Sequence, residues 1–332
     1  MKQRQSNMEL LRIVSIIMVL AVHLDGASLG LPAPSGDISE VSARDWWCLA
    51  VESITIIGVN CFTLISGYFG IKASWRGFLK FSATCLFYSL GIYIGLIVTG
   101  LLQWSWSDFA DSLMIFSHTD LWYVPAYLGV YILSPLLNAA TEGLGQKRFA
   151  WTLAAFVLFN LYCGWWWGGE FNANGYTVVH LTMMYLIGRY IYRYGEGMAR
   201  CVVSGRVWLS VYAVVTVFIT LQAVYCDLIH TFAYNSPLVM LSSIAFFMLF
   251  TTIKINSRFI NVLATSAFAV YLLHKNPYVW GNIIKPLSIY VWDNFTLWQF
   301  TTFVIAFIVL IYLITFLIDR LRIFLLSKLL PK

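Results

Sequence analysis

Residues Met8–Leu24, MELLRIVSIIMVLAVHL, decide how the chain is read. The run is apolar and long enough for a membrane-spanning helix. It carries a cation near its start, Arg12, and an imidazole near its end, His23. At 3.6 residues per turn, their eleven-residue spacing is almost three whole turns. Arg12, Ile16, Val19 and His23 therefore share one stripe, with Glu9 just below it. The rise of 1.5 Å per residue separates the two polar groups by about 16 Å. An ionisable residue on a spanning helix marks a functional site by default. A cation at one depth and an acid/base group at another is the arrangement needed to hold an anionic donor and do chemistry at its far end. Two structural readings stand beside it: Arg12 as an anchor snorkelling to the headgroups, and His23 as a polar cap on the wet end.

The rest of the chain repeats this character. Apolar residues make up 60% of the sequence, charged residues 11%, and the mean hydropathy is +0.76. Such a composition belongs to a polytopic membrane protein, not to a soluble globular one. About ten spans are expected, at roughly 8–24, 47–70, 77–102, 121–138, 149–165, 178–194, 207–226, 236–253, 259–275 and 297–318. The fold class is thus all-α, a single integral membrane domain over residues 1–332 with no soluble appendage. The first run leads to no small-residue cleavage site, so it reads as a span and not as a signal peptide. The six cysteines are scattered singly without metal spacing and read as packing residues.

Charge fixes the expected orientation. With the N-terminus inside, eighteen of the 21 Lys and Arg residues fall in cytoplasmic segments, and only Arg44, Lys275 and Lys285 do not. The positive-inside rule then places both termini in the cytoplasm, and the net charge of +6 reports topology, not nucleic-acid binding. The opposite side collects acids, among them Asp25, Asp108, Asp120 and Asp227, and tryptophans from Trp46 to Trp292. An interfacial aromatic belt has this look, and so does a carbohydrate-facing mouth. All five histidines, His23, His118, His180, His230 and His274, fall on this side, and Glu52 reads as the one acid set inside a span there. No histidine pair has the spacing of a zinc helix, so no metal is expected.

On the cytoplasmic side Lys72, Arg76 and Lys80 recur every fourth residue, hence on one face of a helix start. Topological charge accounts for them. So does a phosphate cradle, to which Arg12 and the Arg189/Arg193 pair would contribute.

Three further stretches narrow the choice. The second span ends GVNCFTLISGYFG, with Phe62, Ser66, Gly67 and Tyr68. The fourth opens LWYVPAYLGVYILSPLLN, with Trp122, Tyr123, Tyr131 and Pro135, and the ninth reads SAFAVYLLHKNP, with Tyr271, His274 and Pro277. With Arg12, ten residues, then His23, these resemble the membrane acyltransferase-3 family, which O-acylates cell-surface glycans. The resemblance implies a ten-helix fold in a bacterial cytoplasmic membrane. It implies transfer of an acyl group, acetyl above all, from acyl-CoA to a hydroxyl of a polysaccharide or lipid-linked glycan at the outer face. His23 would be catalytic, as general base or as covalent carrier, with Glu52 orienting it. Arg12, Lys72, Arg76 and Lys80 would receive the CoA, and Tyr271, His274, Asp120 and Trp122 would line the acceptor side. The chain departs from the family pattern at three places: Lys72 and Lys80 flank a single Arg76, Asp120 stands where histidine is common, and Glu52 where many relatives carry asparagine. A transporter or flippase of lipid-linked sugars is the alternative; it calls for Gly/Pro-broken helices in matching halves, which the sequence lacks.

Overall fold

The computed structural model describes residues 4–117, 121–168, 173–198 and 204–329. Asp120 and His118, and with them Lys2, Glu170, Arg200 and Lys332, lie outside the described residues. Among the described residues all regular structure is helical. The main helices are α1 (Ser6–Leu24), α2 (Ala43–Thr55), α3 (Gly58–Phe69), α4 (Trp75–Val98), α5 (Tyr123–Gly143), α6 (Gln146–Phe159), α7 (Val178–Met198), α8 (Gly205–Tyr225), α9 (Pro237–Thr252), α10 (Ala267–His274), α11 (Lys285–Asn294) and α12 (Leu297–Leu329).

Seven segments are long and apolar enough to cross a membrane: Ser6–Leu29, Ala43–Phe69, Trp75–Val98, Tyr123–Gly143, Gln146–Trp166, Gly205–Tyr225 and Leu297–Lys328. The other three expected spans are helical as well, but Pro237–Thr252 and Arg258–His274 are shorter, and α7 carries Arg189 and Arg193. The protein is a multi-pass membrane protein. On α12 the exposed residues Ile305, Val309, Leu313, Leu317 and Leu321 recur every fourth position, a continuous apolar stripe suited to lipid. Its other side buries Val304, Ile308, Ile311, Thr315 and Asp319.

The chain divides into two compact units, Met1–Lys72 with Ala126–Ala264, and Ala73–Pro125 with Thr265–Lys332. In the first unit α3 packs on α7 through paired glycines. A Cβ added to Gly67 would stand 2.1 Å from the Tyr185 carbonyl oxygen, and one added to Gly188 would stand 2.4 Å from that of Leu64. Small residues at such a crossing let two helix backbones approach within van der Waals contact. Gly67→Ala is therefore expected to destabilise the unit by about 2 kcal/mol or more, because backbone and not a flexible side chain must move. A melting temperature equal to wild type in detergent would contradict this close packing.

The second span is bent. Ser53 Oγ and Thr55 Oγ1 donate back to the carbonyls of Leu49 and Val51, at 2.6 and 2.5 Å, a habit that bends helices. The helix breaks at Ile56–Ile57, and Gly58 then meets α1, where an added Cβ would lie 2.7 Å from the Ser15 carbonyl. Outside the helices, Gly70 takes a φ of 72° and its N–H closes α3 onto Ser66 and Gly67. The chain leaves there, and α4 begins only at Trp75, with the Ser74 hydroxyl accepting from Gly77 N at 3.1 Å. Lys72 accordingly precedes the helix. The expected shared face holds for Arg76 and Lys80 alone.

In the second unit α12 runs eleven residues past the expected end at 318 and so takes Asp319 inside the helix. Asp319 is fully buried and accepts from Arg322 Nε at 2.6 Å, Ser266 Oγ at 2.8 Å and Tyr88 Oη at 3.3 Å. Arg322 also donates to Thr84 Oγ1 at 2.8 Å, and Arg320 to Thr265 and Ser266. Glu52 is thus not the one acid within a span. Removing one member of a buried ion pair strands the other charge, at about 3–5 kcal/mol. Asp319→Ala should therefore lower membrane-inserted yield and melting temperature sharply; wild-type thermal stability would show the network to be dispensable.

Candidate active site

The stripe on α1 forms as its spacing requires. Arg12 sits one turn above Glu9, and its Nη1 donates to Glu9 Oε2 at 2.6 Å. Glu9 is buried, with Arg4 a second cation 4.0 Å away. Arg12 also lies within electrostatic reach of Tyr127 on α5, whose hydroxyl is hydrogen-bonded with Ser66 of α3. Thus the Ser-Gly-Tyr end of α3 and the α5 motif meet at the cation end of the stripe, inside the first unit.

His23 occupies the last turn of α1 and is half-buried. Its carbonyl accepts from Ser28 Oγ at 2.7 Å, which folds the following turn back over the helix end. Glu52 reaches this same end: a Cβ on Gly26 would lie 2.9 Å from Glu52 Oε2. Glu52 is buried, and its Oε2 has no hydrogen-bond partner. Beside it is an acid expected in an outer loop. Asp25 is fully buried, because Ser28 N and Leu29 N bond to its carbonyl and continue the helix by one turn. Its carboxyl lies against the Cys48 thiol, and no N–H or O–H donor reaches either oxygen. The structure therefore sets two buried carboxyl groups beside the histidine end of the stripe, where the sequence offered one.

Two more polar devices in this unit have no local sequence signal. Asn60 Oδ1 meets His180 Nε2 at 2.8 Å, while Asn60 Nδ2 donates to the Tyr234 carbonyl at 3.0 Å. Tyr185 Oη donates to Asn138 Oδ1 at 2.7 Å and accepts from Ile71 N at 3.0 Å, and Asn138 Nδ2 donates to the Ile71 carbonyl at 2.9 Å. This closed ring ties the end of the α5 motif to the turn after α3. By contrast, His230 belongs to an exposed cap: its Nδ1 meets Asp227 Oδ2 at 2.7 Å, and that bond holds the Asp227 carboxyl below the usual carboxylate range.

The second unit holds the remaining residues. Trp122, Tyr123, Tyr271 and His274 form a run of edge-to-face rings, with centroids 5.8, 5.9 and 6.0 Å apart in succession. Tyr271 and His274 are buried on α10. His274 Nδ1 donates to the Val270 carbonyl at 2.6 Å, so in the neutral ring Nε2 carries the lone pair. Arg76 and Lys80 are exposed on α4. Aromatic faces of this kind stack on sugar rings, while the α1 end with its carboxyls suits proton transfer to and from a hydroxyl.

A family model described as an acyltransferase domain matches residues 5–320, nearly the whole chain. No curated protein and no solved structure matches.

Proposed function

The chain belongs to the membrane acyltransferase-3 family, and on that premise we propose that it moves an acetyl group from cytoplasmic acyl-CoA to a glycan hydroxyl at the outer face of a bacterial cytoplasmic membrane. The acceptor is a surface polysaccharide or its lipid-linked precursor. One observation carries this reading: a histidine with buried carboxyls at one end of a spanning helix, and a paired arginine eleven residues away on the same stripe.

In the reaction His23 takes the proton of the acceptor hydroxyl as its oxygen attacks the thioester carbonyl. The new C–O bond forms, the C–S bond breaks, and the CoA thiolate leaves to be protonated. Glu52, set against Gly26, orients the imidazole and stabilises its charged form, as a third group does for many catalytic bases. Arg12 steadies the anionic donor, with Lys72, Arg76 and Lys80 as further cationic contacts. Tyr271, His274, Trp122 and Asp120 receive the acceptor, the rings by stacking. The axial distance of about 16 Å along α1 is comparable with an extended pantetheine arm.

This scheme fixes a stoichiometry. Detergent-solubilised protein given acetyl-CoA and acceptor glycan should release one CoA thiol for each acetyl group gained by the glycan. Thiol release without glycan acetylation, or neither, would contradict it.

A further inference from the structure

We propose that Arg189 and Arg193, standing over the Gly70–Lys72 turn, form a binding site for a phosphate ester. Three other buried or half-buried arginines have oxygen partners: Arg12 has Glu9, Arg322 has Asp319, and Arg320 has Thr265 and Ser266. Arg189 does not. It is 7% exposed, its Nε is buried without a partner, and among the described residues its guanidinium makes no hydrogen bond and no ion pair. Arg193 follows one turn later on the same face of α7, half-buried, with Nη1 also buried and unpartnered. A desolvated guanidinium without an anion is costly, and two like charges at i and i+4 add repulsion. Both guanidiniums lie over rings: Arg189 over Tyr192 at 5.4 Å and Arg193 over Tyr194 at 5.4 Å.

The surroundings are built to hold that charge in place. A Cβ on Gly70 would come within 2.7 Å of Arg189 Nη1, so the guanidinium lies directly against this glycine. The Asn138–Tyr185–Ile71 ring fixes the turn on both sides of its peptide, and Tyr185 is one turn before Arg189 on α7. Lys72, exposed at the end of the turn, adds a third cation. Two guanidiniums on adjacent turns match the oxygens of a phosphate group, which accepts bidentate N–H pairs. Whereas Arg12 is already neutralised by Glu9, this pair has no acidic partner among the described residues.

The identification of the ester as that of a CoA nucleotide rests on the acyl-CoA reading above; an anionic lipid headgroup offers the same chemistry. The test uses full-length protein in phosphatidylcholine nanodiscs, as wild type, Arg189→Gln, Arg193→Gln and Arg189→Leu, with CoA binding followed by calorimetry. Both glutamine variants should bind CoA at least about tenfold more weakly than wild type, the value of one lost charge-assisted hydrogen bond. Without ligand, Arg189→Leu should melt at or above the wild-type temperature, since it removes an unpaired buried charge; a structural arginine would lower it. CoA bound equally by wild type and variants would overturn the site while leaving the acyl-CoA reading intact. If wild type binds no CoA, that reading fails, and discs containing phosphatidylglycerol decide the site. Native mass spectrometry showing this lipid retained by wild type and lost from the glutamine variants would support it; retention by none, or equally by all, would overturn it.

Discussion

Replacing His23 by alanine should lower acetyl transfer by about 10²–10⁴-fold, the usual contribution of a positioned acid/base group, while the protein remains in the membrane at its wild-type level. His23 is half-buried in the last turn of α1, and the bond that closes the following turn is made by its backbone carbonyl, which alanine keeps. The effect should fall on kcat, because the base acts on the transferring proton and not on donor binding. Glu52→Gln should reduce transfer less, by about tenfold to a hundredfold, since Glu52 acts through His23. Full activity of the alanine variant at equal protein level would remove His23 from the chemistry.

The second large effect concerns Arg12, and here structure and function must be separated. Glu9 is buried and Arg12 is its 2.6 Å partner. Arg12→Gln alone removes a cation from the donor and strands a carboxylate, which costs about 1–3 kcal/mol. Transfer should therefore fall at least about tenfold through a raised KM for acetyl-CoA, together with lower yield. Glu9→Gln added to Arg12→Gln should restore yield and melting temperature, because both members of the pair are then neutral amides, but not the KM. A double variant with wild-type KM would mean that Arg12 serves only to neutralise Glu9.

The contrast between these two ends shows what local sequence carries. Helix positions were legible because apolar runs and their boundaries are local: the run read as 8–24 is the helix Ser6–Leu24, and that read as 178–194 is Val178–Met198. Arg12 with His23 was legible for the same reason, as a spacing within one helix. Features set by meetings across the chain were not. The Tyr185–Asn138–Ile71 ring joins residues 47 to 114 positions apart, and the motif residues Gly67 and Asn138 acquire their meaning only where α7 arrives. Asp25 read as an outer-loop acid because a helix end resembles a loop in sequence; the extra turn through Leu29 buries it. The even spacing of Lys72, Arg76 and Lys80 suggested one helical face, but the left-handed Gly70 and the Ser74 cap leave Lys72 outside the helix. Asp319 escaped notice because the last helix is longer than its apolar core, and its acid is buried by three donors rather than by hydrophobicity.

The central claim is that acyl-CoA supplied from the cytoplasmic side gives its acyl group to a glycan hydroxyl at the histidine end of the α1 stripe. Sealed inverted vesicles from expressing cells, given labelled acetyl-CoA from outside, test it directly. Label should accumulate on glycan in the vesicles bearing wild-type protein and should be absent with His23→Ala or Arg12→Ala at matched protein levels. Label that appears regardless of both residues would make the stripe structural and favour a transporter of lipid-linked sugars.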